Sequence, residues 1–247
     1  MGLTTVTMIY AGMFYIAALV LIIGLVYAIV DYSRTPVPLH IPTTPAPTTR
    51  RGVIYRMAKE VVVFESLFKA NKWIWVFGWL FHFGLLLVML RHLRYFTEPV
   101  WFWVDIIQPY GKYASFMMLI GMLGLLARRF VVDRVRYIST PSDYLMLVLL
   151  IAIGVTGMLM TFVEHTDIVA LKMFVMGLMY FDVQPVPTDL ILLIHLALVA
   201  FLMFIAPFSK LLHAPGLFFS PTRNQVDNPR EKRRMPAAWT TKLDQTK

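Results

Sequence analysis

WIWVFGWLFHFGLLLVMLRHLRY, residues 73–95, decides the fold. At about 1.5 Å per helical residue this run is long enough to cross ~30 Å of hydrocarbon. It carries His82 and His92 in its interior, ten residues apart. A second apolar segment, Ile191 to Leu212, contains His195 and is followed by His213, eighteen residues further on. Four of the six histidines therefore sit on two segments of membrane-spanning character.

The rest of the chain fits that character. Of 247 residues, 58% are hydrophobic and 15% charged, an excess over what a soluble core needs, and the apolar residues are gathered into runs of roughly 20. There is no cysteine, which excludes disulfides, covalently attached c-type haem and cysteine-ligated iron–sulfur clusters within this chain. The first apolar stretch lacks a basic leader and a small-residue cleavage site, so it reads as a retained anchor.

Five spans are expected, giving an all-α integral membrane protein built as a five-transmembrane-helix bundle. They cover about Met8–Val30, Trp73–Tyr95, Tyr113–Val132, Ser142–Val163 and Thr188–Leu212, the last interrupted by Pro207. Residues 1–33 hold the first span. Residues 34–71 form a proline- and threonine-rich linker followed by an amphipathic interfacial helix, in which Ile54, Met57, Val61, Phe64 and Phe68 recur at helical spacing. Residues 72–213 form a four-helix core, and 214–247 a basic tail suited to partner binding. Residues 96–110 read as an aromatic interfacial loop, and the apolar middle of 164–187 as a short interfacial helix.

Cations set the orientation. Arg34, Arg50, Arg51, Arg56, Lys59, Lys69 and Lys72 lie between spans one and two, and Arg128, Arg129, Arg134 and Arg136 between three and four; eight more follow from Lys210 onward. The positive-inside rule places these in the cytoplasm and the N-terminus in the periplasm, as five spans require. The expected location is the cytoplasmic membrane of a bacterium or archaeon.

Spans two and five then run antiparallel. His82 falls at the depth of His213 toward the inner face, and His92 at the depth of His195 toward the outer face. Each facing pair supplies two neutral imidazoles, the axial ligand set of a b-type haem. On straight helices the separations are ~15 Å and ~27 Å. Eighteen residues are five turns, so His195 and His213 would share one face of an unbroken helix. Gly78 and Gly84 flank His82, either to admit a flat macrocycle or to pack helices. A lone histidine in a span more simply bonds a neighbouring helix; two depth-matched pairs outweigh that account. His40 and His165 read as solvated residues, His165 with a secondary possibility beside a quinone.

The five-span plan and the spacing of His82, His92, His195 and His213 resemble the cytochrome b (gamma) subunit family of respiratory nitrate reductase. PFSKLLHAPGLFFSPTRNQVDNPR, residues 207–230, is more similar to the cytochrome b subunit of the membrane complex associated with dissimilatory sulfite reductase, DsrM. The resemblance implies two haem b groups, an inner one on His82 and His213 and an outer one on His92 and His195. It also implies quinone chemistry, with menaquinone or ubiquinone, near the outer haem, and electron exchange with a heterodisulfide-reductase-like iron–sulfur subunit on the cytoplasmic side. Further implied partners are a triheme cytochrome c, a ferredoxin-like subunit and a second quinone-interacting membrane subunit. The 34–51 linker and the tail depart from the nitrate-reductase pattern.

Arg91, Arg94 and Lys112 are candidates for haem propionates or quinone on the outer side, and Arg128 and Lys210 on the inner side; the plainer account is that such residues snorkel to headgroups. Tyr95, Tyr113, Glu164 and Asp189 are further polar groups near the outer site. The expected function is electron transfer within a sulfur-metabolism respiratory complex, as a subunit rather than a complete enzyme. A haem-free transporter or anchor competes with it, although histidines are the ionisable groups at the span centres. A membrane-tethered basic tail points to lipid or protein, not to nucleic acid.

Overall fold

The computed structural model describes residues 4–36 and 41–228. The expectations for His40 and for Arg230, Lys232, Arg233 and Arg234 of the tail lie outside the described residues. Among the described residues the regular structure is helical, with ten α-helices: α1 (Thr5–Arg34), α2 (Arg50–Val63), α3 (Glu65–Ala70), α4 (Lys72–His92), α5 (Phe102–Val131), α6 (Asp133–Ile138), α7 (Pro141–Leu159), α8 (Ile168–Tyr180), α9 (Leu190–Ile205) and α10 (His213–Gly216). Among the described residues five stretches are long and apolar enough to cross a membrane: α1, Lys72–Tyr95, α5, Pro141–Glu164 and Leu190–Phe208.

Local chemistry explains most of the boundaries. Asn71 caps α4 by accepting from the Ile74 amide at 3.0 Å, and Asp167 caps α8 by accepting from Val169 and Ala170. Thr140 and Asp143 form a capping box ahead of Pro141 at the start of α7. Asp143 also lies 3.6 Å from Arg129, which donates to Ser139 Oγ at 2.7 Å and so ties the turn between α5 and α7 together.

Two boundaries differ from the expectation. The aromatic loop is short, because α5 begins at Phe102 and runs through Pro109. Proline lacks the amide that would bond the Asp105 carbonyl, so one rung of the ladder is missing two turns into the helix. The fifth span ends its α-helix at Ile205; 3-10 turns follow at Ala206–Phe208 and Lys210–Leu212 before α10 opens on His213. His195 and His213 are therefore not on one continuous helix, and the five-turn phase relation does not hold. Pro207 is the physical cause, since it cannot donate to the ladder.

The chain forms two compact units. One comprises Met1–Leu21 with Asn71–Ile205. Within it α4 lies against α5 with little between the backbones. A Cβ on Gly84 would stand 2.7 Å from the Met118 amide nitrogen, and one on Gly121 2.6 Å from that of Phe81. Of the two readings of Gly84, helix packing is the one the coordinates carry. The α4 and α5 side chains Phe81, Met118 and Met122 fill this seam. A second cluster, Leu171, Phe174, Val186, Leu192 and Leu196, is flanked by Tyr10 and Phe14 of α1. Tyr10 donates to the Leu193 carbonyl, and Tyr15 to that of Leu178. Outward-facing Ile16, Leu86, Leu123 and Val148 are each more than half exposed, which suits a lipid solvent.

The other unit comprises Ile22–Ala70 with Ala206–Lys247. Here the proline-rich linker is pinned: Thr43 N donates to Thr222 O, Asp227 N to Pro47 O, and Arg56 to Thr43 O. Phe64, in the left-handed region at φ 52°, separates α2 from α3. Glu60 spans that elbow, accepting from the Ser66 amide at 3.2 Å and from Arg223 at 2.9 Å. α2 thus turns Arg56 and Glu60 toward its own loops and leaves Ile54, Tyr55 and Val62 about two-thirds exposed. Lys59 and Lys69 flank Glu65 at 2.8 and 2.9 Å and hold its carboxyl down at about 2.

Two predictions arise from these contacts. Gly84→Ala and Gly121→Ala each destabilise the α4–α5 seam by about 1–3 kcal/mol, while Gly12→Ala, with open space at its Cβ, is neutral; thermal midpoints in detergent measure the contrast. Glu65 has a folded pKa below its ordinary 4.5, so its contribution is complete above that value and is lost as pH falls toward about 2. Glu65→Gln should speed proteolysis at the α2–α3 elbow near neutrality, where the carboxylate is fully ionised, and the difference from the native chain should shrink as pH falls toward about 2.

Candidate functional site

α4 places its two histidines away from its glycine seam. At about 100° per residue, His82 stands roughly 160° and His92 roughly 80° around the helix from Gly84. α9 carries Leu192, His195, Leu196 and Ala200 on one buried stripe at three- and four-residue spacing. His213 opens α10, in the other unit.

An imidazole inside an apolar span must satisfy its ring N–H. His82 Nδ1 lies 2.7 Å from the Gly78 carbonyl and His92 Nδ1 2.7 Å from that of Val88, each one turn back on α4. His213 Nδ1 lies 2.7 Å from the Lys210 carbonyl. His195 Nδ1 instead meets the Thr156 hydroxyl of α7 at 2.8 Å. A carbonyl accepts only, so Nδ1 of His82, His92 and His213 carries the proton and Nε2 carries the lone pair. This is the tautomer that ligates a metal through Nε2 with Nδ1–H held from behind. Exposed His165 makes a longer bond of the same kind, 3.1 Å to Val163 O, on the loop after α7.

His92 and His195 are brought together, close enough for charge on one ring to act on the other. Both belong to the first unit. His92 also meets Tyr95 edge-on, with centroids 5.9 Å apart. Among the described residues no three His, Asp or Glu side chains converge on a point. A porphyrin supplies four nitrogens of its own and asks the protein for at most two, so a facing imidazole pair fits this donor set whereas a protein-only metal centre does not.

The basic candidates near His92 are anchored. Arg94 donates to Gln108 Oε1, and Gln108 Nε2 donates back to the Arg91 carbonyl and to Val104 O. Arg91 packs its aliphatic stem over Gly111, and Lys112 sits 4.9 Å above the Phe162 ring. Tyr113 also touches Phe162, which belongs to a single π turn, Met160–Glu164, that ends α7. Such turns recur at functional sites. Just beyond, Thr166 Oγ1 is buried without a partner. Arg128 lies in the last turn of α5, and the Lys210 carbonyl is the oxygen that His213 faces. A hollow of about 400 Å³ on α8, rimmed by the Lys172 and Glu98 ion pair, contains no histidine.

Sequence reading missed Thr156, Gln108 and Thr166. Thr156 had a visible signal, being the one hydroxyl side chain between Leu145 and Met160. Gln108 and Thr166 had none, since each sits among other polar residues at a span end.

The nitrate reductase gamma subunit family matches residues 51–228. The Hdr-like menaquinol oxidoreductase cytochrome b-like subunit of Archaeoglobus fulgidus is 35% identical, over 89% of this chain and 80% of its own length. Its counterpart in Archaeoglobus profundus is 32% identical, over 89% and 79%. With five helices apolar enough to cross a bilayer, the chain is a multi-pass membrane protein, and it belongs to the nitrate reductase gamma subunit family.

Proposed function

We propose that this chain is a dihaem cytochrome b subunit that carries electrons between a quinol pool and an iron–sulfur partner. The observation that carries the reading is the shared ring state of four histidines, each with Nδ1 against an oxygen. His92 and His195, neighbours within one unit, are the axial pair of the outer haem. His82 and His213 are assigned to the inner haem from the sequence. Haem b, when bound, takes up and releases one electron at a time, while a quinol gives up two.

The chain's own residues supply the surroundings. Backbone carbonyls and Thr156 hold each Nδ1 proton and so present Nε2 to iron. Arg91, Arg94 and Lys112 are cations for propionates or for a quinone oxygen beside the outer haem, with Gln108 holding the Arg94 guanidinium. The orphaned Thr166 hydroxyl, next to Glu164 and His165, is a further donor for a quinone carbonyl. Arg128 and Lys210 serve the inner haem.

The relatives are named menaquinol oxidoreductase subunits, which supports a quinol, menaquinol in particular. Their Hdr-like designation agrees with a heterodisulfide-reductase-like iron–sulfur partner. The sulfite-reductase-associated (DsrM-like) assignment, with its triheme cytochrome c, ferredoxin-like and second membrane subunits, rests on the tail residues 207–230. A cytoplasmic C-terminus rests on the cation distribution.

The purified subunit should show reduced-minus-oxidised α and Soret bands of b-type haem at two haems per chain. His92→Ala and His195→Ala should each remove the same haem, and His82→Ala and His213→Ala the other. A flat spectrum would leave a haem-free anchor; loss of one common haem from His82→Ala and His195→Ala would overturn the pairing.

A further inference from the structure

His195 differs from the other three candidate ligands in how its ring is held. His82, His92 and His213 bond carbonyls of their own helix or turn, three or four residues back. His195 is held across helices from α7, by the Thr156 hydroxyl thirty-nine residues earlier in the chain, with the Ile153 carbonyl beside it.

The hydroxyl is itself oriented. Thr156 Oγ1 lies 2.9 Å from the Ala152 carbonyl and 3.0 Å from that of Ile153. Both accept only, so the single hydroxyl proton is directed at them, and an oxygen lone pair is left toward His195. His195 Nδ1–H therefore donates, and Nε2 is the basic nitrogen. The surface beside Thr156 is bare: a Cβ on Gly157 would stand 3.4 Å from His195 Cε1, in ordinary contact with the ring. His195 is 9% exposed, so no water substitutes readily for the hydroxyl.

We propose that Thr156 is a positioning residue for the outer-haem ligand, fixing the ring orientation and tautomer of His195 from the neighbouring helix. The inference rests on His195 being an axial ligand. A hydrogen bond at Nδ1–H increases the donor strength of Nε2 and favours the oxidised iron. Removing the acceptor weakens the ligand and raises the midpoint potential of that haem alone.

The test is a redox titration, with low-temperature EPR of the oxidised form, on Thr156→Val, Thr156→Ala and Thr156→Ser in the full chain. Val and Ala should raise the outer-haem midpoint by about 59 mV, a tenfold change in its one-electron equilibrium. They should also move its EPR signal and leave the inner haem unmoved, while Ser retains both native values. An unshifted midpoint and EPR signal in Ala, or equal shifts in Ala and Ser, would overturn the proposal. If Val fails to assemble, the Ala and Ser pair decides. His195→Ala separates the two levels of inference: retention of both haems there defeats the ligand assignment, whereas loss of one haem there with a silent Thr156→Ala defeats only the role of Thr156.

Discussion

A ring N–H carried into hydrocarbon must meet an oxygen, and the spans are built around meeting that demand. An unpaired polar hydrogen in an apolar medium costs several kcal/mol. Helical carbonyls are already engaged by the backbone ladder, yet each keeps a second lone pair. His82 and His92 use those of Gly78 and Val88, so α4 supplies an acceptor for the Nδ1 proton of each of its two imidazoles.

Placement of the rings depends on what α4 does with its other side. Gly84 on α4, with Gly111 and Gly121 on α5, lets the two helices meet backbone to backbone. That contact fixes the rotation of α4 about its axis, and with it the direction of both histidines. Arg91 lies over Gly111 on the same seam, so its stem is packed against α5. The adjoining Gln108 links the Arg91 carbonyl to the Arg94 side chain across the start of α5.

The spans were legible in the sequence, because hydrophobic length is read one residue at a time. The five spans and the short apolar helix α8 follow from runs of apolar residues. Contacts that join distant segments leave no such trace. The pairing of Arg223 with Glu60, and of Thr222 with Thr43, ties α2 and the described part of the proline-rich linker to the segment that follows α10. The early start of α5 was hidden by Trp101, Phe102 and Trp103, whose aromatic character suits an interface whether or not the backbone is helical. Gly84 was ambiguous by itself, and only its neighbours Ala114 and Met118 decide its role.

Sequence spacing is a measure of depth only while the helix is continuous. Between His82 and His92 it is, so ten residues translate into ~15 Å of axial rise. Between His195 and His213 it is not, because the α-helical ladder stops at Ile205. The ~27 Å read from an unbroken helix therefore does not apply to this pair. It counts residues 206–212 as continuous α-helical rise, whereas two 3-10 turns separated by Ser209 occupy that stretch. A proline in that position ends the ladder of α9, and the segment carrying His213 packs within its own unit, with Pro207 against Gly24 and Tyr32 against Phe219.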